Sequence, residues 1–186
     1  MRTILKSLLL TGLVTAACVV HGGELSDFHF KNARHKLGDP ARSRSHAEVS
    51  STNHGIAEIG IERTGCLGTC PAYTFIMKND GTFRYKGGKY AQRQGDFTGK
   101  IPVRLFHQVA KFIKDSGYME LEDAYTRMIT DNSTTYTMVV MNGKRKVIRN
   151  YADAGPIKLW AIEQLTERLM EKVEWEKSER AQESKK

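Results

Sequence analysis

Residues 73–85, with the sequence YTFIMKNDGTFRY, contain two short runs in which apolar and polar side chains alternate. A period of two residues is typical of a strand that is buried on one face only. Asp80-Gly81, the turn dipeptide between the two runs, favours a tight connection between antiparallel strands. This stretch therefore predicts a β-hairpin, and with it an antiparallel sheet.

Three other stretches predict strands. Residues 57–62 alternate around Ala57, Ile59 and Ile61. Residues 136–151 contain Asn142-Gly143, the strongest short-range hairpin signal, between two alternating runs. Residues 87–100 contain four glycines, which predicts a bent or bulged edge strand.

Two helices are predicted from apolar residues at helical spacing. The first begins at Pro102 and ends at Gly117, and the second begins after Gly155-Pro156. The apolar positions are Phe106, Val109, Ala110 and Ile113 in the first helix, and Leu159, Ile162, Leu165, Leu169 and Val173 in the second.

The order of these elements predicts the fold class. Runs of hairpin strands interrupted by two helices indicate an α+β fold: an antiparallel sheet of four to six strands built from hairpins, with two helices packed on one face. A parallel nucleotide-binding sheet is disfavoured, because the chain contains no GxGxxG or P-loop string.

Residues 1–22 predict a signal peptide. A positively charged start precedes an apolar stretch that is shorter than a membrane span. Two processing routes remain open: ordinary cleavage near the end of the segment, or lipidation of Cys18, because VTAAC resembles a bacterial lipobox. A retained signal anchor is disfavoured by the short apolar stretch. We therefore expect an exported protein, either periplasmic or an outer-membrane lipoprotein.

The rest of the chain divides into three parts. Residues 23–54 show no sustained period and are rich in Ser, Arg, His and Asn, which predicts a disordered linker. The linker contains four histidines whose spacing is not that of metal ligands: His29, His35, His46 and His54. A single α+β domain is expected over residues 55–173, followed by a charged tail over residues 174–186.

The formal net charge of +8 raises the question of nucleic-acid binding. In the body of the chain the charges of both signs are interspersed, and the compact basic run is Lys144–Lys146, within the predicted second hairpin. We therefore expect no nucleic-acid partner. The expected partner is a protein or a small anionic ligand of the cell envelope, and contact with a membrane is expected only through a lipid anchor.

RTGCLGTCPAY, at residues 63–73, places Cys66 and Cys70 four positions apart. They are the remaining cysteine pair once Cys18 is removed or lipidated, and an exported protein meets an oxidising compartment. Cα atoms at this spacing in a helix-like turn lie within the bridging range. Gly65 and Gly68 can supply positive φ in the turn. The motif therefore predicts a structural disulfide that fixes the shape of a loop.

The same loop is the predicted ligand-binding site. Backbone N–H groups of a glycine-rich loop can form an anion nest, to which nearby cations and hydroxyl groups contribute. The residues predicted to bind a carboxylate or phosphate are Arg63, Thr64, Gly65, Gly68 and Thr69. Asp131 lies in a second polar cluster that is either a binding site or turn chemistry. The alternative for Arg63 is an ion pair with an acid on a neighbouring strand.

A thiol-based metal (copper) or redox protein is the alternative function. CxxxCP resembles the copper site of the Sco-type chaperones, and Met138, Met141 and His107 are available as further ligands. A helix follows the second cysteine in those proteins, whereas a strand is predicted here. The sequence contains no catalytic motif, so no catalytic residue, cofactor or metal site is predicted. A non-enzymatic binding module is the preferred function. A metal protein and an inhibitor of a secreted hydrolase are the alternatives.

Several segments carry a family resemblance. They are RTGCLGTCPAY (63–73), NDGTFRY (79–85), DSGYMELEDAY (115–125), Thr130-Asp131, Thr134-Thr135, Tyr151 and AGPIKLW (154–160). In this order they resemble the bacterial family known as domain of unknown function 6438, over about residues 56–172. The resemblance implies an exported protein or lipoprotein and implies no reaction. Ile101-Pro102 stands where the family more often has Ser-Pro at the start of a helix.

Overall fold

The computed structural model describes residues 54–177. The predicted signal peptide, Cys18, the linker up to residue 53 and the last part of the tail lie outside the described residues. Neither α-helix of this part, at 13 residues each, has the length and apolar character of a transmembrane segment, and nor does any other helix within it.

The described part of the chain contains eight strands, two α-helices and two short 3₁₀ turns. The strands are β1 (Ile56–Arg63), β2 (Tyr73–Lys78), β3 (Thr82–Gly87), β4 (Gly95–Lys100), β5 (Ala124–Tyr125), β6 (Thr134–Met141), β7 (Lys144–Tyr151) and β8 (Glu174–Lys177). The helices are α1 (Val103–Asp115) and α2 (Ile157–Leu169), and the 3₁₀ turns are Tyr118–Glu120 and Met170–Lys172.

The strands form one sheet in the order β5-β7-β6-β1-β2-β3-β4-β8. The α+β class is confirmed, but the prediction of four to six antiparallel strands is wrong, because the described residues form eight strands and β5 pairs with β7 in parallel. β5 has two residues and β8 has four, so neither is long enough to show an alternating pattern. The glycine-rich β4 is not an edge strand, since it pairs with β3 and β8.

Both predicted hairpins are present. β2 and β3 are joined by Asn79–Gly81, where Gly81 has φ +83° and a Cβ would lie 2.6 Å from the carbonyl oxygen of Ile101. β6 and β7 are joined by Asn142 and Gly143, both with positive φ, as a type I′ turn requires. Glycine and asparagine therefore close these turns for the reason that the sequence suggested.

The helices cover the sheet face that bears the odd-numbered residues of β1, such as Ile59 and Ile61. α1 begins after Pro102 and is followed by Gly117 in the left-handed region, as predicted, and its four predicted apolar residues are buried. α2 differs from the prediction: Leu165 is 38% exposed, whereas Glu163 and Thr166 are buried. A period of 3.6 residues that starts from Leu159 and Ile162 reaches positions 163 and 166, so two polar residues face the core.

β8 extends the domain to Lys177, beyond the expected end at residue 173. Trp175 anchors it through edge-to-face contacts with Phe83, Tyr85 and Phe97. The backbones approach closely at Gly99, where a Cβ would lie 2.0 Å from the carbonyl oxygen of Glu174. Trp175 thus packs the added edge strand against aromatic residues of β3 and β4.

Candidate functional site

A row of polar residues crosses the helix-covered face at one end of the sheet. The strand register aligns Tyr73 with Arg63, Arg63 with Thr135, and Thr135 with Asn150. α2 crosses above this end, because it contacts β7 through Asn150 and reaches β1 and β2 through Arg63 and Tyr73. We call these four sheet residues, together with Glu163 and Glu167 of α2, the polar cluster.

Glu167 joins two strands to α2. The Nε of Arg63 and the hydroxyl of Tyr73 both donate hydrogen bonds to Oε1 of Glu167. The side chains of Arg63 and Glu167 are only 19% and 20% exposed. Burial by itself lowers the pKa of Arg63, but the hydrogen bond to Glu167 outweighs the effect of burial, so the pKa of Arg63 is raised. For Tyr73, burial and the charge of Glu167 both raise the pKa. Arg63 therefore stays charged and Tyr73 stays protonated at physiological pH.

Glu163 is the most deeply buried acid of the cluster, at 0% exposure. Its Oε1 accepts a hydrogen bond from Nδ2 of Asn150 at 3.0 Å, and Oδ1 of Asn150 accepts one from the amide of Gly155 at 2.9 Å. Its Oε2 has no hydrogen-bond partner among residues 54–177. Burial raises the pKa of Glu163 to about 7, against the opposing effects of Asn150 and the charge of Arg63. The carboxyl group therefore titrates near neutral pH.

The structure contains the predicted disulfide between Cys66 and Cys70, with Cα atoms 5.5 Å apart. The amide of Gly68 donates to Sγ of Cys66 at 3.3 Å. Gly65 and Gly68 do not supply the positive φ that was predicted for them, because both have ordinary backbone angles. The five-residue ring can close through a regular turn, so a left-handed residue is not needed.

The ends of the disulfide loop are fixed to the sheet. The amide of Thr64 donates to the carbonyl of Thr134, and the hydroxyl of Thr64 accepts from the amide of Thr134, both at 3.0 Å. At the other end, Ala72 exchanges backbone hydrogen bonds with Gly88 and Lys89. Residues 65–71, which we call the braced loop, project between these anchors, and Leu67 at the tip is 84% exposed.

The residues predicted to bind an anion are not all free to do so. Arg63 pairs with an acid, as its alternative interpretation required, although that acid lies on α2 rather than on a neighbouring strand. The hydroxyl of Thr64 is bonded to Thr134. Gly65, Gly68 and Thr69 are exposed in the braced loop. The predicted anion site therefore stays a prediction, and its expected cation, Arg63, is paired with Glu167.

Asp131 lies in the loop over residues 126–133, where it is exposed and adopts φ +63°. Tyr151 holds this loop: its hydroxyl donates to the carbonyl of Ile129 at 2.8 Å and accepts from the amide of Asn132 at 3.3 Å. Neither hydrogen bond involves Asp131, so its assignment to a binding site or to turn chemistry stays a prediction. The loop, which we call the pinned loop, exposes Met128 fully and Ile129 by 48%.

The residues considered as copper ligands lie far apart. His107 belongs to α1, on the covered face, whereas Met138 lies on the opposite face of β6, because the neighbouring Thr137 bonds Tyr118 on the helix side. Met141 lies at the opposite end of β6 from the braced loop, and an eight-residue strand spans about 25 Å. Within residues 54–177 there is no group of three or more His, Cys, Asp or Glu that could hold a metal ion.

A hollow with a volume of about 370 Å³ lies on the face opposite the helices. Charges of both signs line it, including Glu58, Lys78 and Arg84, around an apolar floor that contains Ile76 and Met138. It lies toward the start of β1, away from the braced loop. None of the residues predicted to bind a ligand contributes to it.

No pattern in the sequence predicted a role for Glu163, Glu167, Tyr73 or Asn150. The available signal was a pair of glutamates at positions i and i+4 of α2, beside the apolar positions predicted for that helix. The second signal was an aromatic hydroxyl directly after the cysteine loop. Their partners are distant in sequence, by 104 residues for Arg63 and Glu167, so no local pattern pairs them.

Fold and site together define a small α+β domain with a disulfide-braced loop at one end of its sheet. The sequence profile of the family described as domain of unknown function (DUF6438) matches residues 57–170, and the chain belongs to this family. The match confirms the family that was predicted from the sequence motifs. No curated protein matches the chain.

Removal of the disulfide is expected to have a small effect on stability. A ring of about five residues restricts the unfolded chain little, so the double substitution Cys66→Ser, Cys70→Ser should lower the free energy of unfolding by roughly 2 kcal/mol. Urea denaturation of the full chain measures this, and reducing agent should destabilise the wild type by the same amount without affecting the variant. A variant that fails to fold would show that the disulfide supports the whole domain instead of the loop alone.

Proposed function

We propose that this protein is an exported envelope protein that binds a protein partner through the braced loop, without catalysing a reaction. The observation that supports the proposal is Leu67, a large apolar side chain exposed by 84% at the tip of a loop that is closed by a disulfide. A loop fixed in one shape loses little conformational entropy on binding. Rigid loops on a scaffold are also where binding residues concentrate.

The surroundings of the loop favour a protein partner over a small anion. The guanidinium of Arg63 is bound to Glu167, so the cation that was predicted to bind a carboxylate or phosphate already has a partner. Met128 and Ile129 of the pinned loop add exposed apolar surface at the same end of the sheet, since Thr134 directly after that loop pairs with Thr64 directly before the braced loop. Exposed apolar side chains that cluster on a domain are typical of interaction sites.

Export is supported by the signal-peptide pattern of residues 1–22 and by the disulfide, which is stable in an oxidising compartment. The intact mass of the mature protein from a cell envelope fraction tests this part. Export predicts loss of the first segment, with lipid on Cys18 if lipoprotein processing occurs, and loss of two hydrogens for the disulfide. A full-length reduced chain would contradict it.

The binding proposal is tested by site-specific photo-cross-linking of the full chain in the envelope. A photoreactive amino acid at position 67 should give a discrete protein adduct. Val103, which is 40% exposed near the hairpin end of β2, provides the matched control position and should give none. The adduct at position 67 should weaken when Cys66 and Cys70 are replaced by serine. Equal adducts at the two positions would contradict the proposal.

The thiol-based alternative predicts a different outcome with the same purified protein. Two titratable thiols at Cys66 and Cys70, together with stoichiometric copper, would favour a copper protein. A disulfide-bonded pair with no bound copper, and an adduct at position 67, would favour the binding module.

A further inference from the structure

The outward-facing surface of the two helices is strongly basic. Its exposed cations are Arg104, Lys111, Lys114, Lys158, Arg168 and Lys172, and its exposed anions are Asp115 and Glu171. The two acids of α2, Glu163 and Glu167, face the sheet, where they bind Asn150 and Arg63. We call the outward surface of α1, α2 and Met170–Lys172 the helix face. Its net charge of +4 is half of the formal charge of the chain.

Large apolar side chains stand among these cations. Ile157 is 76% exposed, Trp160 is 46%, Leu165 is 38% and Phe112 is 36%. A groove of about 250 Å³ runs between the two helices, with an almost entirely apolar lining. Leu105, Val109, Leu165 and Leu169 contribute to this lining, together with the polar residues Gln108, Arg168 and Lys172. The helix face therefore combines positive charge with apolar surface that no described residue covers fully.

We propose that the helix face docks on an anionic phospholipid surface. Lys and Arg near such a surface each contribute about 1 kcal/mol through attraction to the headgroups. Trp160 and the exposed aliphatic side chains can enter the interface between headgroups and acyl chains, where tryptophan is favoured. Nucleic acid would satisfy the cations but would leave Ile157 and Leu165 in water, so a lipid surface fits both properties of the helix face.

This contact differs from a lipid anchor and from the partner of the braced loop. The braced loop projects from the ends of β1 and β2, whereas the helix face points away from the sheet. The lipid contact therefore does not depend on the proposed function, and each can fail without the other.

The first test uses the intrinsic fluorescence of the full chain. The chain has two tryptophans, and Trp175 packs in the aromatic cluster around β8, so the variant Trp175→Phe leaves Trp160 as the reporter. Vesicles of phosphatidylcholine mixed with phosphatidylglycerol should shift its emission to shorter wavelength, and high salt should reverse the shift. Vesicles of phosphatidylcholine alone should have no effect. An unchanged emission with both vesicle types would overturn the proposal.

The second test compares two charge variants of the full chain by vesicle sedimentation. Lys158→Gln, Arg168→Gln, Lys172→Gln removes three cations of the helix face and should weaken binding to phosphatidylglycerol vesicles by about 100-fold. Lys78→Gln, Lys100→Gln, Lys144→Gln removes three exposed cations elsewhere and is the matched control. Equal losses in the two variants would indicate non-specific attraction and overturn the proposal. Binding to soluble polyglutamate without binding to vesicles would assign the helix face to an acidic protein and also overturn it.

Discussion

Replacement of Arg63 by methionine is expected to lower the free energy of unfolding by about 3 kcal/mol. The substitution leaves the carboxylate of Glu167 in a site where the side chain is only 20% exposed, without the cation that compensates its charge. After the substitution, the hydroxyl of Tyr73 is the hydrogen-bond donor that the sheet still provides to this carboxylate. Methionine keeps most of the side-chain volume, so the loss reports the charge and not a cavity. Urea denaturation of the full chain measures it.

The matched control is Arg168→Met. Arg168 pairs with Glu171 at 3.0 Å, but their side chains are 73% and 55% exposed, so the loss should be at most about 0.5 kcal/mol. The double variant Arg63→Met, Glu167→Gln should recover part of the stability lost in the single variant, because it removes the uncompensated charge. If Arg63→Met costs no more than Arg168→Met, the Arg63–Glu167 pair does not hold α2 on the sheet.

Replacement of Glu163 by glutamine is expected to remove a pH dependence of stability of about 3 kcal/mol. The pKa of Glu163 is raised from 4.5 to about 7 by burial, so the folded state holds a proton that the unfolded state loses at lower pH. The stabilising contribution is therefore fully present below pH 4.5, decreases as the pH rises, and is lost above about pH 7. Glutamine can still accept the hydrogen bond from Asn150 and does not ionise.

Three charged groups that face Glu163 also affect its pKa, so the wild type and the Glu163→Gln variant must share them. Arg63 favours its charged form, whereas Asp153 and Glu167 favour its protonated form. All three remain in the Glu163→Gln variant, so the difference between the two unfolding curves over pH isolates Glu163. Glu171→Gln, which changes an exposed acid in the 3₁₀ turn after α2, should leave the slope unchanged. Parallel curves for wild type and Glu163→Gln would show that Glu163 ionises in the folded state as it does in the unfolded chain.

The features that follow from neighbouring residues could be predicted from the sequence. Asp80-Gly81 and Asn142-Gly143 determine tight turns because few residues adopt their backbone angles at low cost. The alternation of β1 to β3 and the apolar stripe of α1 are local periodicities that predict which side chains are buried. The cysteine spacing brings Cys66 and Cys70 within bridging distance through local geometry alone.

Features that depend on distant partners could not be predicted in this way. The two-residue β5 is stabilised by pairing with the edge of β7. β8 is stabilised by the packing of Trp175 in an aromatic cluster beside β4. A short strand has no preference of its own that outweighs its entropy cost, so only the assembled sheet stabilises it.

The same distinction between local and distant contacts applies to the candidate site. The hairpins, the disulfide and the loop that it closes could be predicted from the sequence, because each depends on residues only a few positions apart, and the family could be predicted from a series of short motifs in a fixed order. Three features depend on the tertiary structure: Arg63 pairs with Glu167, Glu163 is buried beside Asn150, and the cations of the two helices share one face. Burial and charge pairing are properties of neighbours in space, and α2 gains its neighbours only when it packs across the end of the sheet.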